Sequence, residues 1–327
     1  MSADLQEVTA DEEAIRLDRW FRRHYPEVTQ AAIQKWCRTG QIRVDGRRAE
    51  AATRLAVGQL VRVPPLPKAA PVVPKAPDPA RVREVESWVL HRDDQLLVLD
   101  KPAGLPVQGG PGITRHLDGM LDLLRFGSAE RPRLVHRLDR DTSGVLVLAR
   151  TPGVAAKLAA AFRTREVRKV YWAVVAGRPV PVEGRIDLPL RREGGGRGER
   201  VRAAARDDPE AARAITDYRT LDHAGQKLAW LELQPLTGRT HQLRVHCVAL
   251  GAPIVGDSKY HEPDQNNAFT AEIYGLPEQL HLHARELDLP HPAGGRIVVE
   301  APLPPHMRES FRTLGFVEPA MRGVRRP

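Results

Sequence analysis

Between residues 64 and 80 the chain reads PPLPKAAPVVPKAPDPA, with seven prolines in seventeen residues. Each proline fixes one backbone dihedral and removes a backbone donor, so neither a continuous helix nor a paired strand can run through the stretch. An extended, semi-rigid connector is what such a composition supports. It forces the 327 residues apart into two folding units, in keeping with a length that favours about two domains. The division predicted is a small module over 14–64, a Pro-rich linker over 65–81 and a large module over 82–327.

The small module reads as two helices followed by short strands. AIRLDRWFRRHY places Ile15, Leu17, Trp20 and Phe21 at helical spacing, and TQAAIQKWCRTG puts Ile33, Trp36 and Cys37 on one face before a C-capping Gly40. QIRVDGRR then alternates into an Asp45-Gly46 turn, and VGQLVRVP is a second strand. The chain as a whole carries a net charge of +9, and the excess concentrates here: from Ala14 to Pro64 there are eleven Lys/Arg against four Asp/Glu, whereas residues 1 to 13 hold five acidic residues and no basic one. Arg19, Arg22, Arg23, Lys35, Arg38, Arg43, Arg47 and Arg48 would surround a compact fold with positive charge, as a polyanion requires. A solvated basic face on an ordinary small domain has the same composition. RLDRWF, IQKWCRTGQIRVDG and VGQLVRV, in this order, resemble the small αL (S4-like) RNA-binding module found in a small-subunit ribosomal protein, tyrosyl-tRNA synthetases and many RNA-modifying enzymes.

The large module is strand-rich. WVLH, QLLVLDKP, GVLVLAR, KVYWAVVAG, RAITDYRTL, AWLELQPL and GRIVVEAPLP are short Val/Ile/Leu/aromatic runs bounded by Gly and Pro, with helices predicted at PGVAAKLAAAFRT and THQLRVHCVAL. Several strands precede each helix, so the fold class expected is α+β with a mixed, largely antiparallel sheet. Neither GxGxxG nor GxxxxGK[ST] occurs, so no nucleotide fingerprint is present. Two distant cysteines exclude a disulfide framework and a Cys-rich zinc site. No apolar run reaches membrane-spanning length and the acidic N-terminus lacks signal-peptide character, which points to the cytosol, with a monomer as the default.

Chemistry concentrates at two places. In HRLDRDTSGVLVLAR, five of the first six residues are ionisable and an apolar run follows at once. Asp139 lies between Arg137 and Arg140 at that join, where guanidinium groups keep a carboxylate ionised and a sheet rim partly desolvates it, the conditions for a nucleophile or base. A structural salt bridge is the alternative. In LTGRTHQLRVHCVALGAPIVGDSKY, Thr240 can cap a helix carrying His241 and Arg244 on one face, with Arg239, His246, Asp257 and Lys259 nearby in sequence. A helical arginine can equally face solvent. Tyr171 opens a strand, where core packing with a satisfied hydroxyl is the ordinary role. Ser143 lacks the G-x-S-x-G elbow of a serine hydrolase. His246 with Cys247, His281 with His283, and Asp139 with Asp141 are incomplete as metal sets, and the arginines beside Asp139 oppose a cation; no metal is expected.

Taken together, DDQLLVLDKPAGLPVQGG, LVHRLDRDTSGVLVLAR, RKVYWAVVAG, LTGRTHQLRVHCVALGAPIVGDSKY and LHLHAREL resemble the RluA-type family of RNA pseudouridine synthases over nearly the whole large module. HRLD with TSG, followed about a hundred residues later by GRTHQLRVH, is a highly specific pair. The added αL module and the VQGGPG segment resemble the RluC-type branch, which acts on large-subunit (23S) ribosomal RNA. The resemblance implies a cofactor-free isomerisation of a flipped-out uridine. It assigns Asp139 as the catalytic carboxylate, Arg244 as its pairing partner, Tyr171 as a residue stacking on or near the base, and Arg137 as the arginine entering the vacated helix. Arg239, His241 and Lys101 are then expected at the substrate, and Arg19, Arg22, Arg23, Lys35, Arg38, Arg43 and Arg47 at RNA. Transfer RNA as substrate, a non-catalytic ribosome-assembly factor and a metal-dependent nuclease using Asp139 and Asp141 are the competing readings.

Overall fold

The computed structural model describes residues 4–66, 78–110, 112–193, 200–260 and 275–326, and the chain separates into two compact units, Met1–Ala76 and Pro77–Pro327. Most of the predicted linker, residues 67–77, lies outside the described residues. Its predicted end is corrected: Asp78 caps a helix over Pro79–Glu86, its side chain accepting from the Ala80 amide at 3.0 Å. Proline is suited to that first helical position because the donor it lacks would be unpaired there anyway.

In the first unit, helices Leu17–His24 and Gln30–Arg38 pack on a four-stranded antiparallel sheet. Leu17, Trp20 and Phe21, spaced three and four apart, are fully buried with Ile33, Ile42 and Val61. Asp45 and Gly46 both adopt positive φ, 48° and 74°, and turn Arg43–Val44 into Arg47–Arg48, as an Asp-Gly hairpin requires. The module does not begin at residue 14. Asp4–Glu7 is a strand paired with Leu60–Val63, and the buried Glu12 carboxylate accepts from Trp20 Nε1 at 3.0 Å and lies 2.5 Å from His24 Nε2. A stretch with five acidic residues and few apolar ones gave no strand signal, because this edge strand is held by backbone pairing more than by burial.

The second unit is built on one long sheet. Its main path runs, by neighbour, Glu183–Asp187, Ile215–Ala224, Leu228–Pro235, Arg168–Ala176, Leu282–Pro290, Ser143–Ala149, Leu96–Lys101 and Val89–Arg92. All described pairings are antiparallel except that between Leu282–Pro290 and Ser143–Ala149, which is parallel. Ser143–Ala149 is buried on both faces: Val145, Val147 and Ala149 pack beneath the helix Pro152–Thr164, while Leu146 and Leu148 join Met120 and Leu121 on the other side. Double burial explains the unbroken apolar run after HRLDRDTS. Gly144 makes the parallel contact possible. It sits at φ 106°, and a Cβ there would lie 2.2 Å from the Ala284 carbonyl oxygen. Among the described residues no helix is long and apolar enough to cross a membrane.

Candidate active site

A cavity of about 700 Å³ opens where several of these elements end. It takes Arg137 and Asp139 from the loop before Ser143–Ala149, Arg165 from the end of the helix Pro152–Thr164, Tyr171 from the strand Arg168–Ala176, and Arg239, His241 and Arg244 from the turn and helix after Leu228–Pro235.

The turn is held by one side chain. Gln242 accepts from the Thr237 hydroxyl at 2.7 Å and the Arg239 amide at 3.1 Å, and donates to the Ile215 carbonyl at 2.9 Å and Thr216 Oγ1 at 3.0 Å. These four bonds pin residues 237–242 to the neighbouring strand and hold His241 at φ 52°, where it precedes the helix Gln242–Ala249. The predicted cap at Thr240 is therefore corrected by one residue. A non-glycine in the left-handed region is strained, and the His241 ring is fixed in turn, its Nδ1 2.6 Å from the Tyr260 hydroxyl.

Arg244 is buried, and its guanidinium does not close on Asp139. Nε donates to Asp257 Oδ2 at 2.7 Å and Nη2 to Asp257 Oδ1 at 2.5 Å, while the Tyr260 ring lies 4.9 Å away beneath the cation. Asp257 also accepts from the Lys259 and Tyr260 amides at 3.0 and 3.1 Å. The predicted pairing of Arg244 with Asp139 is thus replaced by a fork onto Asp257. What reaches Asp139 is the field of the cation, which favours the ionised carboxylate.

Among the described residues, nothing donates a hydrogen bond to the Asp139 carboxylate. Burial pushes it above the usual carboxylate range, opposed by the charges of Arg244, Arg137 and Lys101 and reinforced by Asp141. Tyr171 faces the same cavity, and burial and the Asp139 charge push its hydroxyl above its ordinary value. It stays neutral. Arg137 is exposed at the cavity wall, and Arg239 donates to the Arg213 carbonyl at 3.1 Å.

Lys101 is the predicted substrate residue that the structure moves away from the cavity. Its ammonium is fully buried and donates to the carbonyls of Pro102, Leu105 and Arg140 at 2.8, 2.9 and 2.9 Å. All three protons are engaged, so Lys101 knits the KPAGL loop to the backbone just after Asp139. Lys101→Met should cost about 3 kcal/mol of stability, since it strands buried carbonyls, and leave the KM of the folded protein for RNA unchanged. Urea unfolding checks the first part; a raised KM without loss of stability would restore the substrate role.

Of the basic residues predicted at RNA in the small module, Arg19, Arg22, Arg23, Lys35, Arg38 and Arg47 are exposed. Arg23 is paired with Asp11, and Arg43 is half-buried as a brace of its own hairpin, donating to the Gly40 and Gly46 carbonyls at 3.3 and 2.9 Å. The histidines weighed as ligands have hydrogen-bond roles in the interior: His246 contacts Thr216 Oγ1 at 2.9 Å and the Leu188 carbonyl at 3.1 Å, His283 Ser143 Oγ at 2.9 Å, and His281 Ser310 Oγ at 2.7 Å. Asp141 pairs with Arg140 at 3.0 Å and does not line the cavity.

Among the cavity residues that sequence reasoning missed are two that carry charge close to Tyr171 in the chain. Lys169 lies in the wall with its ammonium pulled down to about 8 by burial and by neighbouring Arg165. Arg165 ends its helix at φ 65°, a position that glycine usually takes. An arginine at the end of a helix pattern carries no signal of that strain; the absence of a C-terminal glycine after FRT is the only hint.

Comparison with known proteins follows the same lines. A family model described as RNA pseudouridylate synthase matches residues 95–249, which include Asp139, Tyr171 and Arg244. The ribosomal large subunit pseudouridine synthase C of Vibrio cholerae is 33% identical over 305 residues, covering 90% of this chain and 92% of its own. The mitochondrial pseudouridylate synthase RPUSD4 of Xenopus tropicalis is 38% identical over 285 residues, 77% of this chain and 88% of its own. The solved structure of human RNA Pseudouridylate Synthase Domain Containing 4 superposes with a TM-score of 0.61 at 31% identity, covering 76% of this chain and 97% of that one. Motifs, sheet and relatives agree that the chain belongs to the RluA-type family of RNA pseudouridine synthases, which are isomerases.

Proposed function

We propose that this enzyme isomerises uridine in large-subunit (23S) ribosomal RNA, with Asp139 as the catalytic carboxylate. The observation that carries the reading is Asp139 itself: a half-buried carboxylate, accepting no hydrogen bond from a described residue, in a cavity shared with Arg244 and Tyr171. Isomerisation breaks the bond from C1′ to N1, turns the uracil and joins C1′ to C5, and the proton on C5 leaves to solvent. Asp139 either attacks C1′ or takes the 2′ proton; both routes need it ionised and free of donors. A base inside a stem cannot reach it, so the nucleotide is extruded at a cost of a few kcal/mol. Arg137, exposed at the wall, fills the vacated space and offsets part of that cost. Tyr171 stacks near the base, and Arg239 and His241 hold the flanking nucleotides.

Ribosomal RNA is favoured over transfer RNA by the likeness to the Vibrio cholerae protein across both modules. The exposed basic residues of the first unit dock a neighbouring RNA helix, read by shape and backbone. The reaction calls on no cofactor or metal, a monomer suffices for it, and the cytosol is the compartment we assign.

Release of tritium from RNA transcribed with 5-tritiated uridine tests the reading, with large-subunit and transfer RNA side by side. Because burial raises the Asp139 carboxyl, the acidic limb of kcat/KM should lie above the range near pH 4 of a free aspartate. Activity is lost as pH falls through that raised value. A limb at or below about 4 would mean that a different group carries the ionisation.

A further inference from the structure

Among the described residues, one carboxylate and seven Arg/Lys side chains line the cavity. Arg244 is committed to Asp257, Arg168 to Glu286 and Arg239 to a backbone carbonyl. Arg165 and Lys169 have no carboxylate partner among the described residues, and the Lys169 ammonium has a single long contact, 3.4 Å to the Thr237 carbonyl. Both are held against their own preferences. Arg165 occupies φ 65°, which glycine takes without strain, and the turn after it is fixed by the Glu166 amide on the Ala161 carbonyl at 3.2 Å and by the buried Val167. Lys169 lies two residues before Tyr171, so alternation along the strand Arg168–Ala176 puts both on the face that lines the cavity. His136, in the loop before Ser143–Ala149, adds a neutral donor. Its Nε2 accepts from the Val147 amide at 2.9 Å and burial keeps the ring uncharged, so the proton sits on Nδ1, for which no described residue is an acceptor. Three donor groups without an anion, in one cavity wall, have as their complement a group with several charged oxygens.

We propose that Lys169, Arg165 and His136 form a subsite for one backbone phosphodiester of the bound RNA, next to the extruded uridine. This subsite rests on the RNA isomerisation proposed above. Its chemistry differs from that of Asp139: it touches no reacting atom and holds the strand from which the uridine is turned out. The charges around Lys169 give it a pH signature. Arg165 from the helix end is the charge that depresses it, beside burial; His136 is neutral, Thr237 presents a carbonyl, and Arg168, next to it in the strand, is paired with Glu286. A bound phosphate keeps the ammonium charged, so RNA affinity should hold up to about pH 8 and fall above it, as free Lys169 loses its proton.

The test measures RNA binding by the full chain carrying Asp139→Asn, so that no turnover intervenes, with a stem-loop RNA that the wild type modifies in the tritium assay. Lys169→Gln is expected to weaken binding about tenfold and to lower the salt slope of log K by roughly 0.7 to 0.9, the loss of one phosphate contact. Lys169→Arg, charged throughout, should remove the fall above about pH 8. Arg165→Gly should weaken binding while Tm holds or rises, because glycine relieves the left-handed strain. Lys157→Gln, exposed on the same helix and outside the cavity, is the control for loss of charge and should change neither. The decisive arm moves the change to the RNA: single methylphosphonate linkages, which carry no charge, are scanned across the positions flanking the uridine. One linkage should weaken binding about tenfold when Lys169 is present and hardly at all in Lys169→Gln. Losses that add at every linkage overturn the subsite, as does a lowered Tm with an unmoved salt slope, the mark of a structural lysine. Should no ribosomal or transfer RNA release tritium, the functional reading falls and the subsite with it; turnover that depends on Asp139, together with additive losses, overturns the subsite alone.

Discussion

Replacing Asp139 by asparagine should abolish uridine isomerisation by roughly 10⁴-fold or more, the scale seen when a residue that acts directly in the chemical step is removed, without destabilising the protein. Asparagine keeps the shape and removes the charge, and no described group donates to the carboxylate, so no hydrogen bond is broken. The sign of the stability change follows from linkage. The folded carboxyl titrates above its unfolded value near 3.8, so the unfolded chain releases this proton at lower pH than the folded one. The stability that Asp139 contributes is therefore greatest below the unfolded value and is lost as pH rises through the folded one. At neutral pH the wild type bears an ionised, partly desolvated acid that the variant lacks, and Asp139→Asn should have an equal or higher Tm. Single-turnover kinetics, RNA binding and thermal unfolding on one preparation check this together. A variant that is inactive and also several degrees less stable would identify Asp139 as a structural ion-pair member instead.

A large loss of stability from one small substitution is expected at Gly144. Valine there meets the Ala284 carbonyl at an impossible distance and demands φ 106° of a β-branched residue. Backbone strain and steric conflict together should cost more than about 4 kcal/mol, enough to prevent folding of many proteins. Gly144→Ala meets the same oxygen and should lose about 3 kcal/mol or more by the same mechanisms. Gly104 supplies the control. It has φ 81° but nothing within 4 Å of an added Cβ, so Gly104→Ala should cost about 1 kcal/mol through backbone strain alone. Urea unfolding of the two alanine variants separates the terms. Equal losses would mean that the sheet opens by a few tenths of an ångström at Ala284 without penalty.

The legible parts of this chain were those where local pattern and tertiary role coincide. PGVAAKLAAAFRT is a helix over Pro152–Thr164 because its cap, its leading proline and its apolar face all agree. The HRLDRDTSG join was conspicuous because charge at a sheet rim contradicts the apolar run that follows. Leu282–Pro290 carries no clear strand pattern, although it lies at the middle of the sheet; LHARELDLP holds three charged residues, which are accommodated there through partners far away in sequence, such as Glu300 and Glu318 for Arg285. The Arg244–Asp257 fork was hidden for a related reason. Thirteen residues and a loop separate the two, and no periodicity links a helix face to a turn stacked against it.

That central strand also sets a timetable. Ser143–Ala149 and Arg168–Ala176 are close in sequence, yet in the sheet they are joined only through Leu282–Pro290 between them. One flank supplies Asp139 and the other Tyr171 and Arg244. A ribosome making this protein must therefore pass residue 290 before the two flanks can be zipped together, more than a hundred residues after the strands Ser143–Ala149 and Arg168–Ala176 have been made. Until then, the growing polypeptide carries these cavity side chains and no cavity. Such long-range closure slows folding, and it delays the cavity until most of the chain has been made.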